Sequence, residues 1–189
     1  MPVKTGEDCV VSIAAENALI LERIHISAGS RCHIEIGTIV NLGVKMAIYL
    51  ADDCSLTVGD GFACTGTVHF NAHEPKLSIR VGKGCMFSGG LIWASDMHSI
   101  LDLETGARVN RGKSITIGDR VWLGHDAMVL KGVTIGSGSI IGAMSCVRRD
   151  VPPNSLVAGN PARVLRTGVE WDSRLLMLPD TMALANRAG

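Results

Sequence analysis

The side chain in this sequence best suited to chemistry near neutral pH is His98, which stands in the polar stretch SDMHSILDLETGARVNRGKS with Asp96, Asp102 and Glu104 close by. An imidazole titrates near neutrality. It can therefore take a proton from a hydroxyl that attacks an activated acyl carbon, provided that a carboxylate or carbonyl fixes its other ring nitrogen. Any of the three acids can fill that second role, and spacing does not choose among them. A histidine in a loop is most often simply solvated, so the weight given to His98 depends on the framework that carries it.

That framework is legible from Ile115 to Arg166. Ile117, Leu123, Val129, Ile135, Ile141 and Val147 recur every six residues, and all are branched aliphatics. Two positions before each stand Ile115, Val121, Ala127, Val133, Ser139 and Ser145, while Gly118, Gly124, Gly136 and Gly142 follow an aliphatic. A helix needs apolar spacing near 3.6 and loses about 1 kcal/mol at each interior glycine, so the pattern argues against one. A period of six fits a hexapeptide β-helix, with one aliphatic per flat face pointing inward and small or turn-forming residues at the corners. An ordinary β-sandwich does not hold a single phase over six consecutive hexads.

The whole chain suits that reading. Its 189 residues suffice for one domain, and its 22 glycines with only 4% aromatics suit stacked aliphatic coils. Eighteen basic and eighteen acidic residues cancel. Net charge thus provides no general attraction to nucleic acid or to an anionic membrane. The cysteines Cys9, Cys32, Cys54, Cys64, Cys85 and Cys146 contain no C-x-x-C pair and read as reduced, buried thiols. The apolar run Cys9 to Ala15 is too short for a good signal peptide, and nothing reaches transmembrane length. A soluble cytoplasmic protein is expected.

In chain order, residues 1–30 read as cap strands, with VVSI and LILERIHI the candidates. The hexad phase starts near Ile36-Gly37, weakens across KMAIYLADD and is clear again at LSIRVGKGCMFSGGLIW. It stops between Ala94 and Ser114. Trp93 to Ile117 spans 24 residues, or four hexads, so the stretch is either a loop that replaces part of a coil or a coil of poor sequence agreement. Loops that leave a rigid scaffold often carry function. Gly159-Asn160-Pro161 should end the coil, making 1–166 the β-helix domain. Residues 167–189 form an extension packed back through Trp171, Leu175 and Leu178, with a short helix after Pro179.

The blocks SDMHSILDLETGARVNRGKSITIGDRVWLG, LKGVTIGSGSIIGAMS and VRRDVPPNSLVAGNPARVLR resemble the hexapeptide-repeat acyltransferases, in particular the branch that O-acetylates bacterial capsule, O-antigen and related sugars. The likeness is distinctive from about Val81 to Trp171. It implies an all-β, left-handed parallel β-helix with an excursion loop over about 94–114, a homotrimer with sites between subunits, and acetyl-CoA as donor. The handedness comes from the resemblance alone, since ordinary parallel crossovers are right-handed.

The resemblance assigns roles residue by residue. His98 matches the general base of the family's D-x-H-S-I motif, and Asp96 matches beside it. Trp122 matches a tryptophan next to the catalytic cleft, while His125 is a corner residue and a weaker base candidate. Asn110 and Lys113 match the loop pattern and stand for acceptor binding or loop anchoring. Gly124, Gly142 and Ala143 mark coil edges where small residues let a pantetheine arm approach. Arg148 and Arg149 stand where the family has a phosphate-binding cation, usually lysine at the second position, and Arg163 and Arg166 add charge nearby.

The implied activity is acetyl-CoA-dependent O-acetylation of a sugar hydroxyl on a bacterial surface polysaccharide or its precursor, with no metal. Alternatives are acetylation of a sugar amine or small molecule, a non-catalytic β-helix scaffold, and a γ-type zinc carbonic anhydrase. The last places two histidine ligands five residues apart, and His25, His33, His69, His73, His98 and His125 contain no such pair.

Overall fold

The computed structural model describes residues 2–177, and over them the chain winds into a parallel β-helix with three flat sheets. The first sheet stacks Val3–Thr5, Ile24–Ala28, Lys45–Leu50, Thr67–Ala72, Gly90–Trp93, Met128–Leu130 and Cys146–Val147. The second holds six strands from Val10–Ile13 to Thr134–Ile135, and the third seven from Ile39–Leu42 to Ala162–Thr167. Every neighbouring pair is parallel except the last, where Ala162–Thr167 turns back along Ser155–Gly159.

The expected registers lie where the hexads put them. Ile117, Leu123, Val129, Ile135, Ile141 and Val147 are each at most 1% exposed. Ser139 and Ser145 share that interior because their hydroxyls are bonded: Ser139 Oγ donates to Pro152 O at 2.8 Å, and Ser145 Oγ accepts from Gly159 N at 3.0 Å. All six cysteines are free, four of them buried, and burial pushes the Cys85 thiol up to about 11. Corners are fastened by side chains from the next coil. Asp60, Asp119 and Asp150 accept from the backbone N–H of Thr38, Lys83 and Thr134. One corner column, Gly61, Gly84, Arg120, Gly138 and Asn154, takes positive φ in five successive coils, which explains its glycines and its asparagine.

Coil length changes along the axis, and this is why the hexad phase fades upstream. Ile24, Met46, Val68 and Gly90 stand in register at intervals of 22 residues, whereas Thr116 pairs with Thr134 and Met128 with Cys146 at intervals of 18. The early first-sheet strands run to six residues, so three faces no longer take six each.

The stretch after Trp93 is a loop, not a poorly matching coil. Trp93 pairs with Asn71 and Ile115 with Ile79, so the path between faces takes 22 steps where the preceding coil takes eight, an addition of 14 residues. Two expectations need correction. LILERIHI is not one strand: Ala15–Arg23 is 3-10 helical, and only Ile24–Ala28 is extended. The helical segment takes the third-sheet position of the first coil, where buried Asn17 donates to Gly37 O and accepts from Ile39 N, both at 2.9 Å. Cap and coil therefore overlap within residues 1–30. In the C-terminal segment Trp171 does pack on the coil, its indole donating to Arg120 O, but Leu175 is 90% exposed. Leu178 and the helix expected after Pro179 lie outside the described residues.

Candidate active site

The loop leaves the first sheet at Ala94 and regains the second at Ile115. Its root closes through Lys113 N, which donates to Ala94 O at 2.8 Å. Between them the chain folds as a small hairpin in which Val109 N donates to Ile100 O, and Asp102 caps the tip by accepting from Glu104 N, Thr105 N and Thr105 Oγ1. Asp102 is thus a turn-former and is spent on the turn.

Asn110 is the knot of this loop. It is 7% exposed, and its Nδ2 donates to Asp96 Oδ2 at 2.9 Å and to His98 O at 2.8 Å. Its Oδ1 accepts from Ile100 N at 2.8 Å and Arg108 Nε at 3.1 Å. Both donors and both lone pairs are occupied, so of its two expected roles the geometry fits anchoring and leaves no capacity for an acceptor. Lys131, from the next coil, reaches Asp96 Oδ2 and Asn110 O. That ammonium, with the Asn110 amide, holds the Asp96 carboxyl below the usual carboxylate range.

On the other side Arg108 grips Glu74 with two prongs, and Glu74 Oε1 also accepts from Gly112 N at 3.0 Å. Ser95 Oγ accepts from His73 N at 2.9 Å, tying the loop root to the corner of the coil before. His98 is therefore fixed through its backbone while its ring stays exposed. Among the described residues the ring makes no hydrogen bond, and neither Asp96, Asp102 nor Glu104 is bonded to it.

His98 opens onto a largely apolar pocket of about 350 Å³, lined by Trp93, Ser95, Asp96, Met97, Ile100 and Asn110. Trp93 belongs to the first sheet, and its indole N–H is buried without a partner. Lys131, Glu74 and Arg108 were not singled out from the sequence, and Trp93, read there only as a mark of the inward hexad phase, turns outward while Ile92 takes the inward place. Opposite charge at Glu74 and Arg108 was the one available signal, and it needs the coil register to be read.

The other candidates fall in two places. Trp122 lies on the third sheet, away from the face that carries His98 in the same chain. Its indole N–H is also buried and unpartnered, and its ring lies 6.2 Å from that of Trp171. Gly124 and Gly142 stack at the corner between the third and first sheets: a Cβ on Gly124 would meet Ala143 N at 2.7 Å, and one on Gly142 would meet Ala158 Cβ at 2.8 Å. Ala143 is exposed there. His125 occupies the same corner, its Nδ1 donating to Ser88 O at 3.1 Å. Arg148, Arg149 and Arg163 line one recess of about 110 Å³ with Pro161 and Ala162, whereas Arg166 stands apart on the final strand, paired with Leu156. Lys113 is exposed beside Gly132. Among the described residues no group of three His, Cys, Asp or Glu gathers as a metal cluster, and no helix is long and apolar enough to cross a membrane.

Residues 114–149 match the bacterial transferase hexapeptide (six repeats) family. The chain is 31% identical over 153 residues to the galactoside O-acetyltransferase of Escherichia coli K12, an alignment that takes in 80% of this chain and 61% of that protein. It is 35% identical over 118 residues to the polysialic acid O-acetyltransferase of Neisseria meningitidis, covering 55% of this chain and 54% of the relative. The chain thus spans between half and two thirds of these relatives' lengths. Among solved structures, that of the polysialic acid O-acetyltransferase OatWY superposes with a TM-score of 0.67 at 25% identity, over 96% of this chain and 98% of the other. The fold is therefore the left-handed β-helix of these proteins. In its repeat, its coil and these likenesses, the chain is similar to the hexapeptide-repeat O-acetyltransferases.

Proposed function

We propose that the protein transfers an acetyl group from acetyl-CoA to a sugar hydroxyl, with His98 as general base. The observation that carries this reading is the fastening of His98: its backbone is clamped by Asn110 while its unbonded ring opens onto a concave pocket beside Trp93. A base needs a held position and a free nitrogen, and a clamped backbone with an unbonded ring supports this reading. His98 takes the proton of the sugar hydroxyl as that oxygen bonds to the thioester carbon. When the C–S bond then breaks, the proton passes to the departing CoA sulfur. No acyl-enzyme forms.

We place the donor at the corner of Gly124, Gly142 and Ala143, where the glycines let successive coils stack closely and the exposed Ala143 presents only a methyl to an amide-bearing arm. The recess of Arg148, Arg149 and Arg163 suits a phosphate, which a guanidinium grips with two parallel hydrogen bonds. Residues 1–166 form the catalytic domain in this reading, with the remainder an extension along the coil. A neighbouring copy in a homotrimer completes the cleft, bringing a Trp122 toward a His98 that the same chain keeps on another face. The relatives named for galactosides and polysialic acid favour a sugar acceptor, and a bacterial surface polysaccharide or its precursor, modified by a cytoplasmic enzyme, is the acceptor class we infer.

The test is His98→Ala, followed by turnover, calorimetric CoA binding and mass in solution. Loss of turnover by about a hundredfold or more, with CoA affinity and mass unchanged, is expected for a base. Retained turnover, or loss of CoA binding or assembly, overturns the assignment.

A further inference from the structure

Outside the His98 pocket, the outward side of the first sheet carries a stack of rings. The Tyr49 ring lies 6.5 Å from that of His69 at 10° and 6.2 Å from that of His73 at 24°, so the ring planes run nearly parallel. The residues that alternate with this face point inward, with Ile48, Phe70 and Ala72 wholly buried, and the three rings stay half-exposed. None of their polar atoms makes a hydrogen bond among the described residues. The stack is continuous with the pocket in two ways. Tyr49, Asn71 and Trp93 are successive rungs of one outward column, in which Asn71 lies covered at 5% exposure between the two rings, and Trp93 lines the pocket. His73 N is bonded to Ser95, another lining residue. With strands about 4.8 Å apart, Tyr49 stands roughly 10 Å down the axis from Trp93, a span that a disaccharide covers.

Flat rings with unspent polar edges suit a pyranose, whose apolar C–H face lies on an aromatic surface while its hydroxyls need partners at the rim. We propose that Tyr49, with His69 and His73, is a second sugar subsite, holding the residue of an extended glycan next to the one that enters the His98 pocket. This rests on the reading of that pocket as the acceptor site. The subsite selects for chain length and takes no part in the chemical step.

The experiment measures binding of two defined series, α2,8-linked sialic acid and β1,4-linked galactose, from monosaccharide to hexasaccharide, to the whole protein and to Tyr49→Ala and Tyr49→Phe. The unaltered protein should bind the oligomers of one series about tenfold more tightly than its monosaccharide, the scale of one aromatic stacking contact. Tyr49→Ala should remove that gain and leave the monosaccharide affinity in place, while Tyr49→Phe keeps it. The proposal is overturned by a length gain that survives in Tyr49→Ala, by the absence of a gain or of binding in the unaltered protein, or by a changed mass of Tyr49→Ala, which would make this face a contact between copies. CoA titration of the same samples separates the two readings. Length-dependent sugar binding without CoA binding would remove the transferase and leave the subsite.

Discussion

Arg108 and Glu74 meet in a two-pronged ion pair, Nη1 to Oε2 at 3.0 Å and Nη2 to Oε1 at 2.7 Å, that joins the return arm of the loop to a corner 34 residues earlier. The side chains are 27% and 22% exposed, so water competes only in part. Arg108→Lys keeps the charge but not the fork. It should loosen the loop by about 1–2 kcal/mol. Amide exchange should rise over residues 96–112 while the coil stays protected, and catalytic rate should fall without a change in acetyl-CoA affinity.

Asn110→Ala removes four bonds at once and leaves Asp96 and the His98 carbonyl without their shared donor. The expected loss is roughly 2–4 kcal/mol, concentrated in loop opening. The kinetic signature is a fall in kcat that exceeds any rise in KM for acetyl-CoA. Equal changes in both would show that the loop also carries donor contacts.

Acid should release the loop before it unfolds the coil. Lys131, and behind it Asn110, hold the Asp96 carboxyl below its ordinary range. A carboxyl lowered in the folded state contributes stability that is fully present above its unfolded pKa, about 3.9, and is lost as pH falls through the folded value. Loop protection should therefore be flat in this group's contribution from about pH 5 upward and drop below about pH 4. In Lys131→Met the drop should begin at higher pH, which exchange measured against pH would reveal.

Arg149→Ala is expected to raise KM for acetyl-CoA by about tenfold, the loss of one charge-assisted phosphate contact. The rise should be smaller with 3′-dephospho-acetyl-CoA. An equal rise for both donors would remove the recess of Arg148, Arg149 and Arg163 from 3′-phosphate binding.

Gly142→Val tests the proposed donor corner. Even a Cβ there lies 2.8 Å from Ala158 Cβ, so a branched side chain must push the neighbouring coil aside. A cost of about 1–3 kcal/mol, read by thermal unfolding, is expected for such overpacking. CoA affinity should fall as well, whereas Gly118→Ala, at a corner without these arginines, should cost stability alone.

Legibility in the sequence followed the local regularity of each part. From Ile115 to Val147 each face and corner takes six residues, so the inward residues announce themselves and the structure buries them all. Upstream, strands such as Lys45–Leu50 widen one face, the period becomes 22, and a search for hexads loses its phase although the stacking is equally regular. His98, Asp96 and Asn110 stood out because they fall together in a polar break. Lys131 and Glu74 did not, since what brings them to the loop is the vertical neighbourhood of coils, which linear spacing does not display. Residues 19–23 read as strand because their apolar side chains, set beside a true strand, mimic one, while the buried Asn17 that holds the helical turn in place reads in sequence as an ordinary polar residue.

The change from 22-residue to 18-residue coils falls where the loop emerges. Below that level one period is self-consistent, above it another, and the loop occupies the joint between two repeating lattices, where neither rhythm dictates how many residues must pass. Its length is consequently a free parameter: doubling it costs only about 0.6 kcal/mol in closure entropy. In the proposed reading, insertion or deletion there would alter acceptor recognition while leaving the donor corner of the later coils in place.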